Sequence, residues 1–382
     1  MKYIREQRLY FVSFVQLILF IPFFRQGFVG SDWDSYGSYA SSYLLSIENT
    51  YLPSRPPGFP LFEYLISLFV KYEIRVALVI IFLFLIGINF VTDRLLSKKY
   101  INDFLYFALL TSPVLLISSF SVIDYVVGLF FSLSALYVAR DKKTPELLFL
   151  LLIILATATR LSNVIFFAAG IYILKESGTT YKKIILIALT YFSAVCFIYL
   201  PAYSLAGGFC FLNLTNTDHD IIQRLGRFFY KQTYLVGLPG FLLLLYLLFL
   251  NKSRIKSQSI YLPYLLIFLL FEISFMRLPT EEGHMLPALF MFFFLLSDIK
   301  ISNKMQVYLF VSIFISNFLY FELVKIDVPN HVENFSFEPR IQKGLLLLDY
   351  EERALKGGNT NYHINNAVNQ VVDSWKDGGP NC

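Results

Sequence analysis

Apolar residues arrive in dense blocks, and polar residues gather in the gaps between them. The blocks fall at about 9–24, 76–92, 104–119, 124–139, 146–159, 161–174, 184–203, 237–250, 260–276, 285–297 and 305–321. Stretches such as 147–156 and 241–250 contain no charged residue. Lipid solvates such side chains but cannot satisfy bare backbone, so each block is predicted to be a helix that closes its own hydrogen bonds. The pattern predicts an all-α fold, a polytopic transmembrane helical bundle of about eleven spans, several of them short for a bilayer. No Gly/Ser linker divides the blocks, so residues 1–321 read as one membrane domain. The remaining residues, 322–382, form a polar tail with an apolar patch at 345–348 and a break at Gly357-Gly358. Such a tail suits a small cap or a loose end and is too short for a second enzyme domain.

Two gaps are long, at about 25–75 and 204–236. In the first, Trp33, Tyr36, Ala40, Tyr43, Leu44 and Ile47 recur at steps of three and four, with Ser35, Ser38, Ser41 and Ser42 between them. This spacing predicts an amphipathic helix in the membrane interface with its aromatic side towards lipid. Ser31 or Asp32 is a natural N-cap for it, and Pro53 ends it. Three prolines then hold 54–60 extended. Pro60 can open a further short helix with Glu63 in its first turn.

Composition agrees with the pattern: 56% of residues are hydrophobic, 15% are charged, and mean hydropathy is +0.59. The net charge of +5 gains meaning from its placement. With eleven spans, the short connections on the side of the N-terminus carry seventeen lysines and arginines, against nine opposite, without the tail. The positive-inside rule puts the N-terminus in the cytoplasm and the first loop on the outer face of a multi-pass plasma (inner) membrane protein. The basic, apolar start lacks a small-residue cleavage site and reads as an uncleaved signal anchor. Cys196, Cys210 and Cys382 have no metal-ligand spacing, and Cys210–Cys382 is only a weak disulfide candidate. No phosphate-binding Gly-rich loop and no nucleic-acid module is present, so nucleic acid is excluded as a partner.

The polar residues beside the blocks are the candidates for chemistry. Asp32 and Asp34 converge on one ligand if their segment is extended, and diverge if it is helical. The plainer reading makes Asp32 a helix cap and Asp34 a first-turn acid. Arg55, in Ser54-Arg-Pro-Pro-Gly58, suits a phosphate near the headgroup plane, or lipid phosphates in general. Asp124 and Arg160 are lone charges at outward ends, which is costly and points to function or to a pair that fixes helix register. Arg277, Glu281, Glu282 and His284 crowd another outward turn, and Glu272 lies inside a block and needs a partner. Arg224, Arg227 and Lys231 form a basic helix face suited to anionic headgroups or a lipid pyrophosphate. Thr217-Asp-His-Asp220 is a weak metal box and more in keeping with a solvated turn.

At these residues the chain resembles the polytopic GT-C glycosyltransferases, the class of the protein mannosyltransferases and the lipid A aminoarabinose transferases. Four elements carry the likeness: Asp32-Trp-Asp34-Ser-Tyr36 after the first span, Arg55-Pro-Pro-Gly-Phe-Pro, Thr159-Arg160, and 278–287 with its Glu281, His284 and two prolines. Ser112-Pro113 followed by Asp124 suits the family's second outward loop. The likeness extends over most of 1–321. It implies a sugar donor linked to a polyprenyl phosphate and a glycan, lipid or protein acceptor, as in cell-envelope polysaccharide biosynthesis. It implies a first-loop aspartate as base, Asp32 ahead of Asp34, and inversion at the anomeric carbon. Tyr36, Arg55, Glu63, Asp124, Arg160, Arg277, Glu281 and His284 are then substrate-binding candidates. No cofactor is implied with certainty, and a divalent metal is compatible. Unlike many relatives, the chain separates its two acids by Trp33, and its tail is shorter than the family's usual outer domain. The competing readings are an outer-face polymerase or ligase that uses Arg224 and Arg227, and a lipid-linked sugar transporter or flippase.

Overall fold

The computed structural model describes residues 2–30, 33–55, 57–96, 103–141, 144–206, 208, 221–255, 262–277, 279, 282–297, 301–324, 338–343 and 360–376. The helices are α1 (Lys2–Gln26), α2 (Trp33–Glu48), α3 (Pro60–Val70), α4 (Ile74–Leu96), α5 (Asp103–Leu110), α6 (Pro113–Ser119), α7 (Tyr125–Arg140) and α8 (Glu146–Thr159). They continue with α9 (Val164–Glu176), α10 (Tyr181–Ala206), α11 (Ile221–Ile255), α12 (Leu262–Arg277), α13 (Leu286–Leu296), α14 (Asn303–Ile315) and α15 (Thr360–Lys376). Short 3₁₀ turns lie at Leu161–Asn163 and Glu282–Met285. Beyond α14, β1 (Leu319–Val324) and β2 (Glu338–Lys343) pair antiparallel, with Leu319 opposite Lys343.

The apolar blocks therefore become helices, except that 305–321 turns after α14 and ends in β1. Four are long and apolar enough to cross a bilayer: Gln7–Gln26, Ile74–Leu96, Tyr181–Leu205 and Arg224–Leu250. The others are shorter than the ~20 residues a span requires. α13 is the extreme case: all eleven of its residues are buried, so it is a central post wrapped by other helices.

Three local readings are corrected. The block at 104–119 is not one helix, because Pro113 has no N–H and its ring blocks the preceding turn. The chain breaks into α5 and α6 and leaves two carbonyls open. The Gln16 amide donates to the Leu110 carbonyl at 2.8 Å, and the Asn317 amide to that of Thr111 at 2.9 Å. Side chains from α1 and from beyond α14 thus restore bonds that an apolar interior cannot supply. The Gln16 oxygen in turn accepts from the Asn89 amide at 2.6 Å.

The second correction concerns 204–236. Residues 221–236 are helical and run into the following span as α11, bent at Gly237. Gly237 has φ 73°, and a Cβ there would fall 1.9 Å from Ser316 Oγ, so both backbone and space demand glycine. The stretch with Cys210 and Thr217-Asp-His-Asp220 lies outside the described residues, as do Cys382 and 345–348.

The third concerns α2. Ser35, Ser38, Ser41 and Ser42 are buried, while Ile47 is exposed. The small serine face packs inward rather than facing water. Ser41 donates to the Leu52 carbonyl at 2.5 Å and Ser42 to that of Ser38 at 2.7 Å.

Charge separates to the two ends of the bundle. Where α1 begins and α4 ends, Arg8 binds Asp93 at 2.5 Å and Asp103 at 2.9 Å. Nearby, Arg140 donates to the Leu95 carbonyl and the Tyr264 hydroxyl. Arg160, Asp124 and Arg55 lie on connections at the opposite ends of these helices, and Asp34 lies in the first turn of α2.

Replacing Gln16 with Leu removes the donor to the Leu110 carbonyl. The expected loss is about 1–3 kcal/mol, the cost of an unsatisfied buried acceptor. Thermal unfolding in detergent measures it; an unchanged melting point would contradict the repair of the broken helix.

Candidate functional site

The site is assembled from connections. Gly27–Gly30 leaves α1 and passes beside the turn before α7, where the Val122 N–H donates to the Val29 carbonyl at 2.7 Å. That bond brings the start of α2 to Asp124. α8 packs along α7 and ends at Arg160, whose backbone is extended at φ −156° and turns its side chain back towards Asp124. The 3₁₀ turn 282–285 delivers His284 from the other side.

Arg160 is the centre. Its Nη1 donates to Asp124 Oδ2 at 2.7 Å, with Asp124 fully buried and Arg160 7% exposed. Its Nη2 lies 2.8 Å from His284 Nδ1 and 2.9 Å from Nε2. A guanidinium only donates, so a ring nitrogen of His284 that bonds to it does so as the acceptor. The guanidinium carbon sits 4.2 Å above the Tyr125 ring and 5.6 Å from that of Phe59. Arg55 lies 5.0 Å from the same Phe59 ring and pairs with buried Asp34. Arg55 also acts electrostatically on Asp124. Two cations and two carboxylates therefore share one cluster with an aromatic ring near both guanidiniums, so each cation also lies by a π-system. The Arg55 side chain is 30% exposed, so the cluster opens outward on that side.

Glu63 plays a different part from the others. Fully buried, it accepts from the Tyr51 hydroxyl at 2.7 Å, the Ser54 N–H at 2.9 Å and the Phe59 N–H at 3.3 Å. It thereby folds 51–59 around itself and presents Arg55 and Phe59. Burial pushes its carboxyl above the ordinary carboxylate range, and the three donors pull it back part of the way. Tyr199 of α10 closes this wall: it donates to the Thr157 carbonyl at 2.8 Å and lies within electrostatic reach of Asp124, Glu63 and Arg160.

The structure brings together Asp34, Arg55, Asp124, Arg160 and His284, with Glu63 behind them. Tyr36 is half-buried beside α2's packed face. Arg277 ends α12 exposed and pairs with no described residue of the cluster. Asp32 and Glu281 lie outside the described residues. Glu272 finds its partner in the Gln232 amide at 2.7 Å, and Lys231 pairs with Glu282, in the same 3₁₀ turn as His284. The basic face of α11 and the arginine cluster thus adjoin. Sequence reasoning passed over Phe59, Tyr125 and Tyr51; aromatics beside lone charges were the available signal. Among the described residues no group of acids, histidines and cysteines has a metal-binding arrangement.

Comparison with protein-family models, curated proteins and solved structures finds no match to this chain.

Gly283 lets the turn lie on Tyr125: a Cβ would fall 2.2 Å from that ring. Gly283→Ala should displace the ring beneath Arg160 and cost about 1–3 kcal/mol in an unfolding experiment; wild-type stability would show that the close approach is dispensable. Glu63 predicts a pH effect. Its folded pKa lies above the unfolded one, so its stabilising contribution is complete below about 4.5 and falls as pH rises beyond that value. The stability difference between wild type and Glu63→Gln should therefore shrink as pH climbs from 4.5 towards neutrality. A difference that grows over this interval would reverse the sign.

Proposed function

We propose that this protein is a GT-C-like membrane glycosyltransferase. It moves a sugar from a polyprenyl-phosphate donor to a glycan, lipid or protein acceptor. The single observation that carries the reading is the convergence of Arg55 and Arg160 beside Asp34, Asp124 and His284 at one end of the apolar bundle. These are the residues through which the chain resembles that family, and they come from four separate connections and the first turn of α2. In this reading all eleven apolar blocks lie within the membrane, the shorter ones wrapped by the longer. The N-terminus is cytoplasmic and the cluster faces outward from the plasma membrane.

The reaction places the acceptor hydroxyl against a first-loop carboxylate. The carboxylate takes the hydroxyl proton as the oxygen bonds to the anomeric carbon. The bond from that carbon to the phosphate oxygen breaks, and the phosphate leaves with the electron pair. Guanidiniums stabilise the charge it gains. Arg55, partly exposed and next to Ser54, whose N–H donates to Glu63, suits the phosphate directly. Arg160, neutralised by Asp124, suits a supporting role and orients His284. Asp34 is occupied by Arg55, which favours Asp32 as the base. One displacement with one base inverts the anomeric centre.

The reading is tested by Asp32→Asn in a transfer assay with a polyprenyl-phosphate sugar. Transfer should fall by roughly 10²–10⁴, the usual worth of a general base, while the protein still inserts and melts normally. Undiminished transfer would remove Asp32 from that role. If lipid-linked sugar crossed liposome membranes in the variant as in the wild type, a flippase would replace the transferase.

A further inference from the structure

We infer that the C-terminal tail helix positions the phosphate-facing arm of the site, with Trp375 as the positioning residue. This rests on the proposed function only for the role of Arg55; the mechanical link stands on its own.

α15 carries Ala367, Val371 and Trp375 at steps of four, all buried. With Val368 and Val372 beside them, they make one apolar stripe. The stripe packs against Ala40 and Leu44 of α2, with Leu52 and Leu205 at its margin. The other face, with Asn365, Asn366, Asn369, Gln370 and Asp373, is exposed. The helix therefore lies across α2 and the first loop with a defined orientation.

Its last turn makes the decisive bond. The Trp375 indole N–H donates to the Pro53 carbonyl at 2.8 Å, with Trp375 8% exposed. Pro53 precedes Ser54, whose N–H is held by Glu63, and Arg55, which pairs with Asp34. Segment 51–55 is therefore fixed from three directions: Ser41 of α2 holds Leu52, Glu63 of α3 holds Tyr51 and Ser54, and the tail holds Pro53. Proline cannot donate, so its carbonyl is the one backbone group through which this residue can be anchored. Trp375 takes it from a part of the chain 322 residues away. Loss of that bond frees the residue two positions before Arg55 without touching Arg55 itself.

The test is hydrogen exchange of the full chain in detergent, read at the amides of Ser54 and Phe59. Trp375→Phe keeps an apolar ring and removes only the donor. Exchange at these amides should rise roughly five-fold, the equivalent of one ordinary hydrogen bond, while amides in α7 and α8 stay unchanged. Val371→Ala, which loosens the helix but keeps the indole, should raise exchange at the same amides. Asn369→Ala on the exposed face should not. Unaltered exchange at Ser54 and Phe59 in both Trp375→Phe and Val371→Ala would overturn the inference. A binding arm separates this from the proposed chemistry: the affinity of a short polyprenyl phosphate in nanodiscs should fall several-fold in Trp375→Phe. If the wild type binds none, the transferase reading fails while the exchange result still decides the role of the tail.

Discussion

The buried pair of Arg160 and Asp124 is the constraint around which the rest is arranged. A lone guanidinium among apolar helices is costly, and so is a lone carboxylate. Together, 2.7 Å apart, each makes the other tolerable. Removing either partner from such a pair typically costs 3–5 kcal/mol, because the survivor stays buried and uncompensated. The pair fixes where α8 ends relative to the start of α7. It also leaves the second arm of Arg160 free to hold His284, and one face free to lie on Tyr125. The His284 imidazole, two aromatic rings and the Arg55–Asp34 pair then collect around Arg160.

Glu63 does for the first loop what Asp124 does for α8. Among the described residues no cation lies beside it, and it instead gathers three donors from 51–59. The loop is thereby tied down at three groups around Arg55, and a pre-ordered arginine loses less freedom on binding. Burial of Glu63 and of the serine face of α2 explains why a segment rich in polar residues sits against the bundle instead of in water.

Much of this was legible in the residues. Every apolar block became at least partly helical, since hydrophobic density and the need to close backbone bonds favour it, although 305–321 ends in β1. Asp34, Arg55, Asp124, Arg160 and His284 stood out as charges or imidazole where charges are expensive. What stayed hidden depended on distant partners. The break at Ser112-Pro113 could be suspected from proline, but its repair by Gln16 and Asn317 could not, because those residues are far away in the chain. The serines of α2 looked like a wet face, since only the packed structure shows what lies against them. The stripe of Ala367, Val371 and Trp375 is visible at steps of four, yet nothing local says that its target is Pro53.

The central claim is that the arginine cluster holds the phosphate of a lipid-linked sugar. Native mass spectrometry of the purified protein tests it most directly. The account predicts an adduct with the mass of a polyprenyl phosphate bearing one sugar, retained by the wild type and lost when Arg55 and Arg160 are both replaced by Gln. An adduct profile of ordinary membrane phospholipids alone, identical in the wild type and the double variant, would contradict it.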